Sequence, residues 1–143
     1  MSDAMVREIE HAAIAVRDVT ATLARYAALG FAQVRVEDVP GGIRSHVIRS
    51  GTAYLEILES TSDESDLARF LEKHGEGLHH LCLQVEALPD AVEAVAMAGC
   101  SLVSDSPVAD LRGKRVFVHP ATNGGVLIGL VEVDQTPAPS DDG

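Results

Sequence analysis

Apolar and polar positions along this chain alternate first at period two and then at helical period, and that order of periods occurs twice. Residues 6–16 are apolar, rich in small and β-branched side chains and alternating at their start, which predicts a strand. Val19, Leu23, Tyr26 or Ala27, and Leu29 then recur at helical spacing, with Asp18 or Thr20 placed to cap the first turn. Gly30 supplies a left-handed stop. FAQVRVED at 31–38 alternates as a strand, Pro40-Gly41-Gly42 turns the chain, IRSHVIRS at 43–50 alternates again, and TAYLEIL at 52–58 forms a further strand. The stretch 62–65 caps a short helix that carries Leu67, Phe70 and Leu71 and ends near Gly75.

The second half opens on a strand at 78–85, followed by a helix with Pro89 in its first turn and Gly99 at its end. Segments 101–104, 115–119 and 126–133 are the remaining strand candidates, with Pro120 and Asn123-Gly124-Gly125 turning before the last. Laid over each other 69 positions apart, IEHAAIAVRDVTATLARYAALGF at 9–31 and LHHLCLQVEALPDAVEAVAMAGC at 78–100 bring His11 onto His80, Val16 onto Val85 and Gly30 onto Gly99. A period this long seen twice is a duplicated supersecondary unit rather than a solenoid. The pattern predicts an α+β chain of two β-α-β-β-β units, about 6–75 and 76–134, in a single domain over 1–134. Residues 135–143 are Pro, Ser and Asp rich and are expected to be disordered.

Composition narrows the functional classes. The 143 residues, 46% of them hydrophobic, suffice for one ordinary core without a disulfide. With 22 acidic against 11 basic residues the formal net charge is −11, which argues against nucleic acid and anionic membrane surfaces as partners. The N-terminus lacks the basic start and apolar run of a secretion signal, and no stretch reaches membrane-span length, so a cytoplasmic protein with a small-molecule substrate is expected. Cys82 and Cys100 have no metal-type spacing and read as apolar filler.

The repeated unit with a histidine in each first strand resembles the vicinal oxygen chelate superfamily, which includes glyoxalases, bleomycin resistance proteins and extradiol dioxygenases. Within it the chain is most similar to the methylmalonyl-CoA epimerases. The resemblance is carried by IEHAAIAVRD at 9–18, YLEILEST at 54–61, FLEKHGEGLHHLCLQV at 70–85 and VFVHPATNGGVLIGLVE at 116–132. It implies a vicinal-oxygen-chelate domain with a cupped mixed β-sheet, and homodimers are common among such proteins. It further implies one divalent metal ion, whether Co, Mn, Ni, Zn or Fe, held by His11, Glu56 and His80.

In the epimerases a fourth ligand, a glutamate of the last strand, also acts as one of two acid/base groups that work through a metal-stabilised enolate. Here that position is Gly129, and the second acid/base position falls at Ser45 or His46. A serine hydroxyl is a poor base, while His46 has a suitable pKa; alternation along the strand puts the two on opposite faces. The glycine at 129 would leave room for a bulkier substrate. Tyr54, His119 and Arg115 join Gly129 as expected pocket residues. The family's lysine after the His-Pro pair is Ala121 here, which removes a charge that a coenzyme A thioester would meet. His79, pointing away from His80, reads as a supporting or surface histidine, and His74 as a structural one at a helix C-terminus.

A lone histidine or glutamate on an apolar strand is usually a satisfied core or surface group. Three at matching positions of a duplicated unit favour a metal, because it removes the cost of burying Glu56 unpaired. Three functions follow. The first is a metal-dependent epimerase or isomerase acting on a methylmalonyl-CoA-like or other α-acidic carbonyl compound. The second is a two-His-one-Glu non-haem oxygenase or related tailoring enzyme. The third is a non-catalytic protein that sequesters a small molecule.

Overall fold

The computed structural model describes residues 5–103, 108–110 and 113–133. The elements are β1 Val6–Ala15, α1 Val19–Ala27, β2 Ala32–Val39, β3 Ile43–Ser50, β4 Ala53–Ser60, α2 Asp66–His74, β5 Gly77–Val85, α3 Leu88–Met97, β6 Val108–Asp110, β7 Gly113–Val118 and β8 Ile128–Val133. The fold is α+β with a mixed sheet, since β1 and β4 pair in parallel whereas β2, β3 and β4 form an antiparallel meander. Contacts divide the chain into two compact units, Glu10–Leu81 and Met1–Ile9 with Cys82–Gly143, so the cut runs through β1 and β5 and not between the two sequence repeats.

In the unit Glu10–Leu81 the strand order is β2-β3-β4-β1-β5. Asp18, and not Thr20, caps α1: its carboxylate accepts from the Ala21 N–H at 3.0 Å. Ser65 caps α2 by accepting from the Ala68 N–H at 2.9 Å. One face of the sheet packs Ala13, Ala15 and Leu58 against Leu67 and Leu71 of α2. The other packs Val16, Ile48 and Ile57 against Leu23 and Tyr26 of α1. The tight β2–β3 connection requires Gly42, where φ is +82° and a Cβ would come within 3.2 Å of the Ser62 and Ser65 Cβ atoms.

The unit Met1–Ile9 with Cys82–Gly143 runs β5-β8-β7-β6, and its core joins Val85, Leu88, Ala91, Val116, Val118 and Leu130. Two expectations change here. The segment 101–104 is no strand where it is described: Leu102 makes a single isolated bridge to Val118, and Ser104 lies outside the described residues. The edge strand is β6 instead, three residues long and paired to β7. The last strand also starts at Ile128, not at 126, because the Gly125 and Val126 N–H groups are used up in the turn, on the carbonyls of Pro120 and Asn123. The tail 135–143 lies outside the described residues. Among the described residues, no helix is long and apolar enough to cross a membrane.

Candidate metal centre

His11, Glu56 and His80 all belong to the unit Glu10–Leu81, on β1, β4 and β5, and all are buried, with exposures of 1%, 6% and 7%. The parallel register Ala13↔Glu56 brings β4 alongside the part of β1 that carries His11. His11 Nε2 lies 3.2 Å from Glu56 Oε2, and the two imidazole rings stand edge to face with centroids 5.5 Å apart. Inside this one compact unit His11 thus lies next to both the Glu56 carboxylate and the His80 ring.

Each ring is held from its other nitrogen. His11 Nδ1–H donates to Glu10 Oε1 at 2.9 Å, and His80 Nδ1 lies 2.9 Å from His79 Nδ1. With His80 as donor in that pair, both ligand candidates carry their proton on Nδ1 and their lone pair on Nε2, the tautomer that outer-shell acceptors impose on metal-binding histidines. Sequence reasoning missed Glu10 altogether, since a glutamate beside a buried strand residue reads as solvated. It read His79 as a supporting or surface histidine and did not foresee its bond to His80.

The arrangement suits a cation. His11 Nε2 is buried and, among the described residues, makes no hydrogen bond, although a carboxylate oxygen sits 3.2 Å away out of line. Two electron-rich atoms buried face to face repel each other unless a proton or metal ion lies between them. Two imidazoles and one carboxylate form a donor set for Zn, Fe, Co, Ni or Mn with positions left open.

The candidate acid/base residues are engaged elsewhere. Ser45 is 1% exposed and its Oγ–H donates to Glu56 Oε1 at 3.1 Å. His46 lies on the opposite face, as alternation predicts, with Nε2 hydrogen-bonded to Glu59 Oε2. Tyr54, two residues before Glu56 and so on its face, accepts at its phenol oxygen from Arg49 Nη1 at 3.3 Å.

The family model for the glyoxalase/bleomycin resistance protein/dioxygenase superfamily matches residues 10–118. The chain belongs to this superfamily. Among its relatives, the ethylmalonyl-CoA/methylmalonyl-CoA epimerase of Cereibacter sphaeroides is 34% identical, over 90% of this chain and 100% of that protein. The methylmalonyl-CoA epimerase of Mycobacterium tuberculosis superposes with a TM-score of 0.82 at 29% identity, covering 98% of this chain and 94% of the other. A Streptomyces coelicolor methylmalonyl-CoA epimerase variant in complex with 2-nitronate-propionyl-CoA gives a TM-score of 0.80 at 29% identity, covering 90% and 98%.

Gly129 lies in the other unit. Gly129 pairs across the ladder with Phe117, and a Cβ built on it would lie 3.0 Å from Phe117 Cε1 and 3.4 Å from Cys82 Sγ. The space beside the glycine is thus taken by an aromatic ring and not left for a bulkier substrate. On the same strand the Arg115 guanidinium stands 6.0 Å from the centroid of that ring. His119 caps the turn Pro120–Thr122, with Nδ1 accepting from the Ala121 N–H at 3.1 Å, so its ring has a structural duty.

His79 gives a pH prediction. Burial holds its imidazole below the usual histidine range of 6.5. The unfolded chain then takes up this proton first. Stability tied to His79 is therefore present above about 6.5 and is lost as pH falls through that value toward the depressed one. Urea midpoints measured with chelator at pH 7.5 and 5.5 should drop for the parent, and drop less for His79→Gln.

Proposed function

We propose that this chain is a metal-dependent isomerase-type enzyme that labilises the proton next to the carbonyl of a methylmalonyl-CoA-like or other α-acidic carbonyl compound. The observation that carries the proposal is the buried His11 Nε2 facing Glu56 Oε2 at 3.2 Å without a hydrogen bond, in a unit that also buries His80. Its support from relatives is the epimerase function named for the Cereibacter protein and the coenzyme A thioester held by the Streptomyces one.

A divalent ion held by His11, Glu56 and His80 would supply Lewis-acid stabilisation of the negative charge that develops on a carbonyl oxygen as the α-proton leaves. The chain's own groups shape the site that would hold the ion. Glu10 and His79 orient the two rings through their Nδ1 atoms, and both Nε2 atoms are buried. The apolar packing of Ala13, Ala15, Leu58 and Leu67 on the same side excludes water, which strengthens every charge interaction there.

The test is exchange of the α-proton of methylmalonyl-CoA in deuterated water, followed by mass spectrometry with and without added Co(II). Metal-dependent gain of one deuterium supports the proposal. Exchange that is absent in metal-loaded protein contradicts it, and oxygen uptake in its place would point to the two-His-one-Glu oxygenase.

A further inference from the structure

We propose that Ser45 is a positioning residue for the ion site, one that fixes which oxygen of Glu56 serves as the ligand. This rests on the metal reading above and goes beyond it by giving Ser45 a role as hydrogen-bond donor in place of acid/base chemistry. Three observations carry it. The Ser45 hydroxyl is almost fully shielded, at 1% exposure, so its proton must be placed within the protein. It donates that proton to Glu56 Oε1 at 3.1 Å. The other oxygen, Oε2, is the one that faces His11 Nε2 at 3.2 Å.

The geometry follows from strand register. In the β3–β4 ladder Ser45 stands opposite Leu58 and Val47 stands opposite Glu56. Ser45 and Glu56 are therefore diagonal neighbours on one face, within reach of a short hydroxyl. A carboxylate on a flexible stem turns freely about its last torsion, and a donor on one oxygen fixes its plane and assigns the other oxygen to its partner. The result is a series on three strands: Ser45 to Glu56, Glu56 against His11, and His11 to the half-buried Glu10. Ser45 does for the carboxylate what Glu10 does for the imidazole.

The experiment is Co(II) titration of the metal-free full chain, read by calorimetry and by the visible cobalt spectrum, for the parent, Ser45→Ala, Ser45→Cys and Ser45→Thr. The cysteine variant nearly keeps the serine volume but replaces a strong donor with a weak one, so it separates hydrogen bonding from packing even if the alanine variant folds poorly. The alanine and cysteine variants should each lose about 10–100-fold in Co(II) affinity with an altered spectrum, while threonine, which keeps the hydroxyl, stays close to the parent. In a Glu56→Gln background the Ser45→Ala loss should shrink, because the two residues act as one unit. Parental affinity in both Ser45→Ala and Ser45→Cys overturns the inference, as does an undiminished loss in the Glu56→Gln background. A parent that binds no ion overturns the metal reading and this inference with it.

Discussion

Replacing His11 with alanine should lower divalent-ion affinity by more than about 100-fold, since loss of a mere supporting partner already costs about 10–100-fold. The physical reason is the position of the ring. It is 1% exposed, its Nδ1–H is taken by Glu10, and its Nε2 lies 3.2 Å from a buried carboxylate oxygen of Glu56. The expected signature separates a ligand from a packing residue. A ligand at 100 times its Kd stabilises the folded state by about 2.7 kcal/mol. The parent should show a rise of that order in unfolding free energy on saturation with Co(II), and His11→Ala should show none at the same concentration. In chelator the variant loses its packing and the hydrogen bond to Glu10, so its deficit there reports structure, and the metal effect is the further difference that appears on adding Co(II). An equal rise in parent and variant would remove His11 from the ligand set.

The second large effect is expected at Gly129. Glutamate at this position restores the residue that the epimerase resemblance calls for, yet its neighbours must give way to admit it. Its Cβ would sit 3.0 Å from Phe117 Cε1 and 3.4 Å from Cys82 Sγ, a wholly buried thiol. Overpacking of this kind costs about 1–3 kcal/mol, and burying a carboxylate adds to it. Gly129→Glu should therefore lower the urea midpoint markedly without raising α-proton exchange. Phe117→Leu should relieve part of the strain, so the double variant should be more stable than the sum of the two single changes implies, by about 1 kcal/mol or more. A Gly129→Glu protein as stable as the parent, or strictly additive losses, would show that the ring does not guard the position.

The contrast between these two sites shows what was legible in the sequence. Strand alternation, the glycine stops after the helices and the 69-residue offset between His11 and His80 are local or repetitive signals, and the structure reproduces them: Gly30 and Gly99 end their helices at φ of +97° and +95°, and β3 spans 43–50 as the alternation predicts. Ser45 and His46 on opposite faces follow from the same period. What escaped depends on partners remote in sequence or on side chains that reach around the pleat. The Phe117 ring closing over Gly129 is a cross-strand contact that depends on the β7–β8 register. The Glu10 to His11 bond joins neighbours whose Cα–Cβ bonds point to opposite faces, which alternation alone would keep apart. The three-residue β6 is too short to carry a period, and the apolar stretch before it drew the assignment to 101–104 instead.

The superfamily is established by the match over residues 10–118, and the central claim that remains is chemical: His11, Glu56 and His80 hold a divalent ion. The most direct measurement is calorimetric titration of the chelator-treated chain with Co(II), with metal stoichiometry confirmed by elemental analysis, for the parent and for Glu56→Ala. The account predicts saturation near one ion per chain in the parent, at micromolar affinity or tighter, and affinity weakened by more than about 100-fold in Glu56→Ala. Absence of saturable binding in the folded parent, or binding by Glu56→Ala at parental affinity, would contradict it.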